Sequence, residues 1–197
     1  MERTMKKIMF NDKYGLTQAV LEGRKTMTRR LVPKSALWSF PTDTDLRVDM
    51  CKAPYKVGEV IAIAQSYKSI FEKSLNYALP RYHWLDDHID EKGFANKMFV
   101  KAGEMPHHIK ITDIKVERLQ DISEEDCLRE GIQEYFPYID YNPNDRCRTF
   151  QYFRDGKIRH RISPAPKCFA LLIDDICGKG TWNSNPWVFA YSFELID

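Results

Sequence analysis

Residues 109–119 read Ile-Lys-Ile-Thr-Asp-Ile-Lys-Val-Glu-Arg-Leu, an almost unbroken alternation of apolar and polar side chains. Successive side chains of a strand point to opposite faces, so this run requires a sheet with one buried and one wet face. Four more strand-like runs, 6–10, 59–65, 97–101 and 187–195, are rich in β-branched or aromatic residues and bounded by Gly, Pro or Asn. Helical patterns are fewer. One covers 16–22, a short one begins after Ser123 as N-cap and closes at Gly131, and a last one covers 168–176. Strands outnumber helices and no βαβ rhythm appears, so the expected class is α+β, a small mixed β-barrel with short packed helices.

At 197 residues, 43% hydrophobic and 29% charged, the chain suits one globular domain, 1–197, with insertions expected at 31–57, 70–96 and 134–167. No apolar run approaches membrane-spanning length. The N-terminus lacks an apolar stretch with a small-residue cleavage site, so a cytoplasmic location is expected. The five cysteines have no Cys-x-x-Cys spacing and read as reduced structural thiols. His83 and His88 bracket Asp86 and Asp87 in what reads as a polar loop, and the adjacent His107-His108 would point to opposite faces of a strand. Neither pair makes a good chelate, so no metal and no organic cofactor is expected.

Chemistry concentrates at 23–30, Gly-Arg-Lys-Thr-Met-Thr-Arg-Arg, where four cations and two hydroxyls occur without an acid. Gly23 stands where a left-handed helix stop is expected, so the cations begin where a helix ends. In the extended run that follows, Lys25, Met27 and Arg29 face one way and Thr26, Thr28 and Arg30 the other. An anion or a polar base would lie against either row; a solvated basic turn fits the same run. Net charge is only +2, yet seven Lys and Arg against Asp155 alone give residues 146–167 a local +6, leaving −4 elsewhere. Such concentration favours a localised anionic partner. There Thr149-Phe-Gln-Tyr-Phe and Lys157-Ile-Arg-His-Arg flank Arg154-Asp-Gly, a hairpin turn. Mixed aromatics and cations suit single-stranded nucleic acid, and they equally suit a hairpin whose aromatics cover the core.

Taken in order, the 23–30 motif after a short helix, Tyr55-Lys-Val-Gly-Glu-Val-Ile, Val116-Glu-Arg-Leu-Gln-Asp-Ile-Ser-Glu-Glu-Asp, Glu130-Gly-Ile and Asn185-Pro-Trp-Val-Phe resemble the ASCH domain, in its phage and bacterial form. The resemblance spans nearly the whole chain. It implies a PUA-like fold with a basic cleft for RNA or a modified nucleoside, lined by Arg24, Lys25, Thr28, Arg29, Arg30, Glu59 and Glu130.

One branch of that family hydrolyses the acetyl amide of acetylcytidine, and by position its residues fall on Lys25, Thr28 and Glu130. The resemblance then implies a threonine hydroxyl attacking the amide carbonyl, a lysine taking its proton and a glutamate orienting the lysine. A lysine base working near neutrality needs its pKa lowered to roughly 7 to 8. Arg24 or Arg29 would push it down and Glu130 would oppose them. Where many relatives carry Trp-Val-Arg-Glu this chain has Ala62-Ile63-Ala64-Gln65, without the cation and the acid. A third possibility is an adaptor that binds a protein partner through the inserted loops.

Overall fold

The computed structural model describes residues 5–39, 47–76, 87–135 and 148–196, with backbone alone for 73–76. His83, Asp86, Arg146, Cys147 and parts of all three expected insertions lie outside these. The strands are β1 Lys7–Ile8, β2 Met27–Leu31, β3 Leu37–Trp38, β4 Arg47–Val48, β5 Val60–Ile63, β6 His108–Arg118, β7 Gln133–Tyr135, β8 Thr149–Arg154, β9 Lys157–Ile162 and β10 Trp187–Leu195. The helices are α1 Leu16–Leu21, α2 Tyr67–Asn76, α3 Lys92–Ala95, α4 Glu124–Arg129 and α5 Ala165–Cys177. The chain is α+β. Its main sheet has the order β1-β5-β6-β10-β2, with a β3-β4 pair and a separate sheet β7-β8-β9. Among the described residues no ladder joins β1 to β2, so the strands expected to close into a barrel form an open order with two ends.

Two compact units divide the chain. The first comprises Met1–Phe10, Val60–Lys110 and Leu195–Asp197. In it β1 lies parallel to β5, with Lys7 opposite Ala62, and β5 lies antiparallel to the start of β6, with Ile61 opposite Ile109. Its core is Ala62, Ala64, Tyr67, Ile70, Val100 and Met105. Tyr67, Ile70 and Phe71 meet it from one face of α2, because positions three and four apart lie together on a helix. The structure corrects two expectations here. Residues 97–101 are not a strand: Lys97–Phe99 is a 3-10 turn, held by the Asn96 side chain accepting from Met98 N–H at 3.0 Å, a local bond that competes with a ladder. The stretch 70–96, expected as a long loop, includes most of α2 and all of α3.

The second unit comprises Asn11–Glu59 and Ile111–Glu194. Here β2 and β10 pair antiparallel, with Thr28 opposite Tyr191 and Arg29 opposite Ala190. β8 pairs with both β7 and β9, so Gln133, Gln151 and Arg161 form one row across three strands, and Glu134, Phe150 and Ile162 the next. Asp155 and Gly156 both have positive φ, 53° and 73°, as a two-residue hairpin turn of the twist-matched kind demands. The aromatic rings Phe150 and Tyr152 point into the core with Phe169 and Leu172 of α5. Burying such a ring contributes roughly 1.5–3 kcal/mol, so these aromatics cover the core rather than await bases. Cys127 and Cys168 are buried free thiols in the same unit, whereas Cys51 and Cys177 are exposed.

Candidate functional site

α1 ends at Leu21 and Gly23 adopts the left-handed conformation, φ 71°, turning the chain into β2 as the sequence required. Backbone bonds then seat the motif: Lys25 N–H donates to Ala19 O and Thr26 N–H to Arg129 O, each at 2.9 Å. α4 is started by Ser123, whose hydroxyl accepts from Asp126 N–H, and stopped by Gly131 at φ 105°. A side chain at 131 would put its Cβ 3.2 Å from Leu16 Cδ2 and 3.8 Å from Lys25 Cδ. Glycine there brings the end of α4 against the Lys25 stem. Glu130, the residue before it, is thereby carried inward and is only 5% exposed.

The result is a buried ion network. Lys25, 2% exposed, donates from Nζ to Glu130 Oε2 at 2.6 Å and to the carbonyls of Glu130 and Met27, both at 2.8 Å. Arg29 donates to Glu117 Oε1 from Nε at 2.8 Å, to Asp126 Oδ2 at 2.9 Å and to Glu130 Oε1 at 3.2 Å. Arg129 reaches the other oxygen of Asp126 at 3.4 Å. Three cations thus face three carboxylates. Burial is the largest influence on Lys25 and lowers its pKa; Glu130 opposes this, and Arg30 and Arg29 lower it further, so the net direction is down. For Arg29 burial again acts downward, but Glu130, Glu117 and Asp126 together outweigh it and raise the pKa.

The other row of β2 has different company. Thr28, buried, lies opposite Tyr191, and the Tyr55 ring stands edge-on to Tyr191 with centroids 5.4 Å apart. Burial raises the Tyr55 pKa, with Arg30 lowering and Glu59 raising it; Tyr191 is pushed by burial to about 12. Arg30 and Glu59 therefore share this aromatic neighbourhood. Glu59 also accepts from Lys56 N–H at 2.9 Å. Arg24 stands apart, exposed and paired with Glu22.

So the seven residues named from the sequence fall into three sets. Lys25, Arg29 and Glu130 meet; Thr28, Arg30 and Glu59 gather around two tyrosines; Arg24 is on the surface. Glu117, Asp126, Tyr55 and Tyr191 were not singled out from the sequence. Glu117 and Asp126 both sit inside the 116–126 motif, and the excess of cation in 23–30 was the available signal that carboxylates must meet it. In the first unit, Ala62, Ile63, Ala64 and Gln65 are all buried, so the segment lacking the relatives' cation and acid is a packed stretch.

Among the described residues no cluster of three His, Cys, Asp or Glu side chains is disposed to hold a metal ion, and no helix is long and apolar enough to cross a membrane. No family model matches the sequence, and no curated protein matches it. Among solved structures the chain is similar to the crystal structure of protein EF3133 from Enterococcus faecalis V583, of the family model DUF984. Identity is 14% and the TM-score 0.43, over 100% of this chain and 84% of that one.

Proposed function

We propose that this chain is an ASCH-type, PUA-like module that binds a modified nucleoside, free or within RNA, against the Thr28 row of β2. The observation that carries this is the buried network of Lys25, Arg29, Glu117, Asp126 and Glu130 directly behind that row. The cost of burying several charges often exceeds what their mutual attraction returns, so such a network is weak evidence for a stabilising role, and a buried group with a strongly shifted pKa, as Lys25 is, marks a functional-site candidate. Lys25 and Arg29 have their donors on carboxylates and carbonyls, so they hold β2 and set its field. Thr28, Arg30 and Glu59 supply the contacts to a polar base edge, and the half-buried Tyr55, backed edge-on by the buried Tyr191, supplies a ring for it to lie on.

The test is titration of the protein with a panel of modified nucleosides, acetylcytidine included, read by thermal shift and calorimetry. Binding raises the melting temperature with ligand concentration. Thr28→Val should weaken it roughly 2- to 13-fold, the loss of one neutral hydrogen bond. If no nucleoside stabilises the folded protein at millimolar concentration, the proposal fails.

Hydrolysis of an acetylated nucleoside is the second possibility, and one observation favours it: the Lys25 pKa is lowered, the direction a general base needs. Against it, all three Nζ protons already have acceptors, and Thr28 alternates away from Met27 and Arg29. Release of acetate from acetylcytidine, abolished by Thr28→Ala and by Lys25→Ala with the fold intact, would establish it.

A further inference from the structure

One motif of the sequence takes no part in the nucleoside contacts: Asn185-Pro-Trp-Val-Phe, which leads into β10. Alternate side chains of a strand share a face, and Thr28 lies opposite Tyr191 and Arg30 opposite Phe189, so Trp187 falls on the same face as the Thr28 row. It stands about 13 Å along the strand from Tyr191, four residues at roughly 3.3 Å each. Arg118, the last residue of β6, lies over the Trp187 ring with its guanidinium carbon 4.2 Å from the ring centre. The loop before β10 fixes it there. Asn185, at a positive φ of 42°, accepts from Arg118 Nη1 through its carbonyl at 3.2 Å and from Gln120 N–H through its side chain at 2.9 Å, while Gln120 Nε2 donates to Trp182 O at 2.8 Å. Asp121 Oδ2 accepts from the backbone N–H of Arg118 at 3.3 Å, but among the described residues no carboxylate meets its guanidinium. The indole N–H of Trp187 is buried and likewise has no hydrogen-bond partner among them.

We infer that Arg118 and Trp187 form a phosphate-binding subsite, which takes the phosphate of a nucleotide whose base lies at Tyr55, a placement of the base that rests on the nucleoside reading of the Thr28 row. A guanidinium and an indole N–H are donors only, so the group that completes them is rich in acceptors. An oxyanion meets both demands. Two of its oxygens take the guanidinium's remaining donors side by side, and another takes the indole N–H. A buried donor without an acceptor is costly, and an oxygen on Nε1 removes that cost. Reaching Nε1 requires the guanidinium to slide along the ring, which its single side-chain bond, to Asn185 O, permits. Stacking on the indole keeps the fork flat as it does so. Position selects a phosphate over an acidic substituent of the base: about 13 Å along β10 is too far for the latter. It suits a group carried on the sugar or one nucleotide further along, with Arg30 on the neighbouring strand between the two ends. The subsite thereby separates nucleotides and strands from free nucleosides.

The experiment uses the full chain in calorimetry and thermal shift. Its probes are acetylcytidine, the 5′- and 3′-monophosphates of acetylcytidine, a trinucleotide with acetylcytidine at its centre, and inorganic phosphate alone. At least one phosphate-bearing nucleotide probe should bind roughly 13- to 160-fold tighter than the nucleoside, the worth of a hydrogen bond to a charged group. Preference for a monophosphate assigns the nucleotide's own phosphate, and preference for the trinucleotide a phosphodiester of a strand. The advantage should shrink as salt rises. Arg118→Gln should erase it and leave nucleoside affinity unchanged. Arg118→Lys should recover only part, because an ammonium lacks the planar fork. Trp187→Phe, which keeps a ring and removes the N–H, should cut the advantage about 2-fold or more. Thr28→Val should weaken nucleoside and nucleotide alike and keep their ratio. Circular dichroism checks each fold. If the nucleoside binds and no phosphate-bearing probe binds tighter, or the advantage survives Arg118→Gln, the subsite is overturned and the nucleoside reading stands. If no nucleoside binds but inorganic phosphate raises the melting temperature of the wild type more than that of Arg118→Gln, the nucleoside reading falls and the phosphate subsite stands. Binding of neither overturns both.

Discussion

Replacing Glu130 by Gln tests the ion network most directly, because the amide keeps the shape and removes the charge. Glu130 accepts from Lys25 at 2.6 Å through one oxygen and from Arg29 at 3.2 Å through the other. A glutamine has one oxygen and one NH2, so one cation must face a donor. Removing one partner of a buried pair costs about 3–5 kcal/mol, since an uncompensated charge stays buried. At 2–4 °C per kcal/mol for a chain of this size, the melting temperature should drop by roughly 6–20 °C. The assays are thermal melts for the melting temperature and urea unfolding for the free energy, both followed by tryptophan fluorescence and the urea series repeated from pH 7 toward pH 10. Glu130 raises the Lys25 pKa, so its loss drops that pKa further below the unfolded value of 10.5. Within that window the folded variant binds fewer protons than the unfolded chain, so its stability rises with pH and the deficit against wild type narrows. The double variant Lys25→Met with Glu130→Met should cost much less than the two single changes added together. A single-variant cost under about 1 kcal/mol, or strict additivity in the double, would refute the reasoning.

Gly131→Ala should destabilise the fold by about 1–3 kcal/mol, because φ 105° strains any L side chain and the new Cβ would press on Leu16; thermal melts check it. Ser123→Ala, which removes the cap of α4, should cost about 0.5–2 kcal/mol in the same assay. Burial pushes the Cys127 and Cys168 thiols from 9.0 to about 12, so the stability they contribute is complete below pH 9 and lost as pH rises toward 12. Urea midpoints falling across that range in wild type, and falling less in Cys127→Ala with Cys168→Ala, would bear this out; unchanged slopes would contradict it.

Local chemistry made several elements legible before any coordinates. The Ser123 cap, Gly23 and Gly131 as helix stops and the Asp155-Gly156 turn each depend on neighbours within a few residues, and each appears where the sequence put it; the strand expected at 109–119 forms as β6, but its buried-and-exposed alternation holds at Ile109–Thr112 and slips at Asp113, which is exposed beside Thr112. Residues 97–101 were misread because β-branched and aromatic character resembles a strand, while one Asn96 side-chain bond is enough to curl the backbone into a 3-10 turn. Strand count suggested closure into a barrel, but closure depends on pairing between distant edges, which period-2 patterning does not encode.

The candidate site divides the same way. Sequence alone determined that Lys25 and Arg29 share one row of β2 and Thr28 and Arg30 the other, because strand periodicity is a property of the backbone. Only tertiary structure decided that Glu130, 105 residues from Lys25, is buried against it, and that Glu117 and Asp126 join through Arg29. Whether a carboxylate at the end of a short helix faces water or an ammonium is set by long-range packing, here the close approach that Gly131 permits. That choice of environment also fixes the direction of the Lys25 pKa, which no reading of charge order along the chain determines.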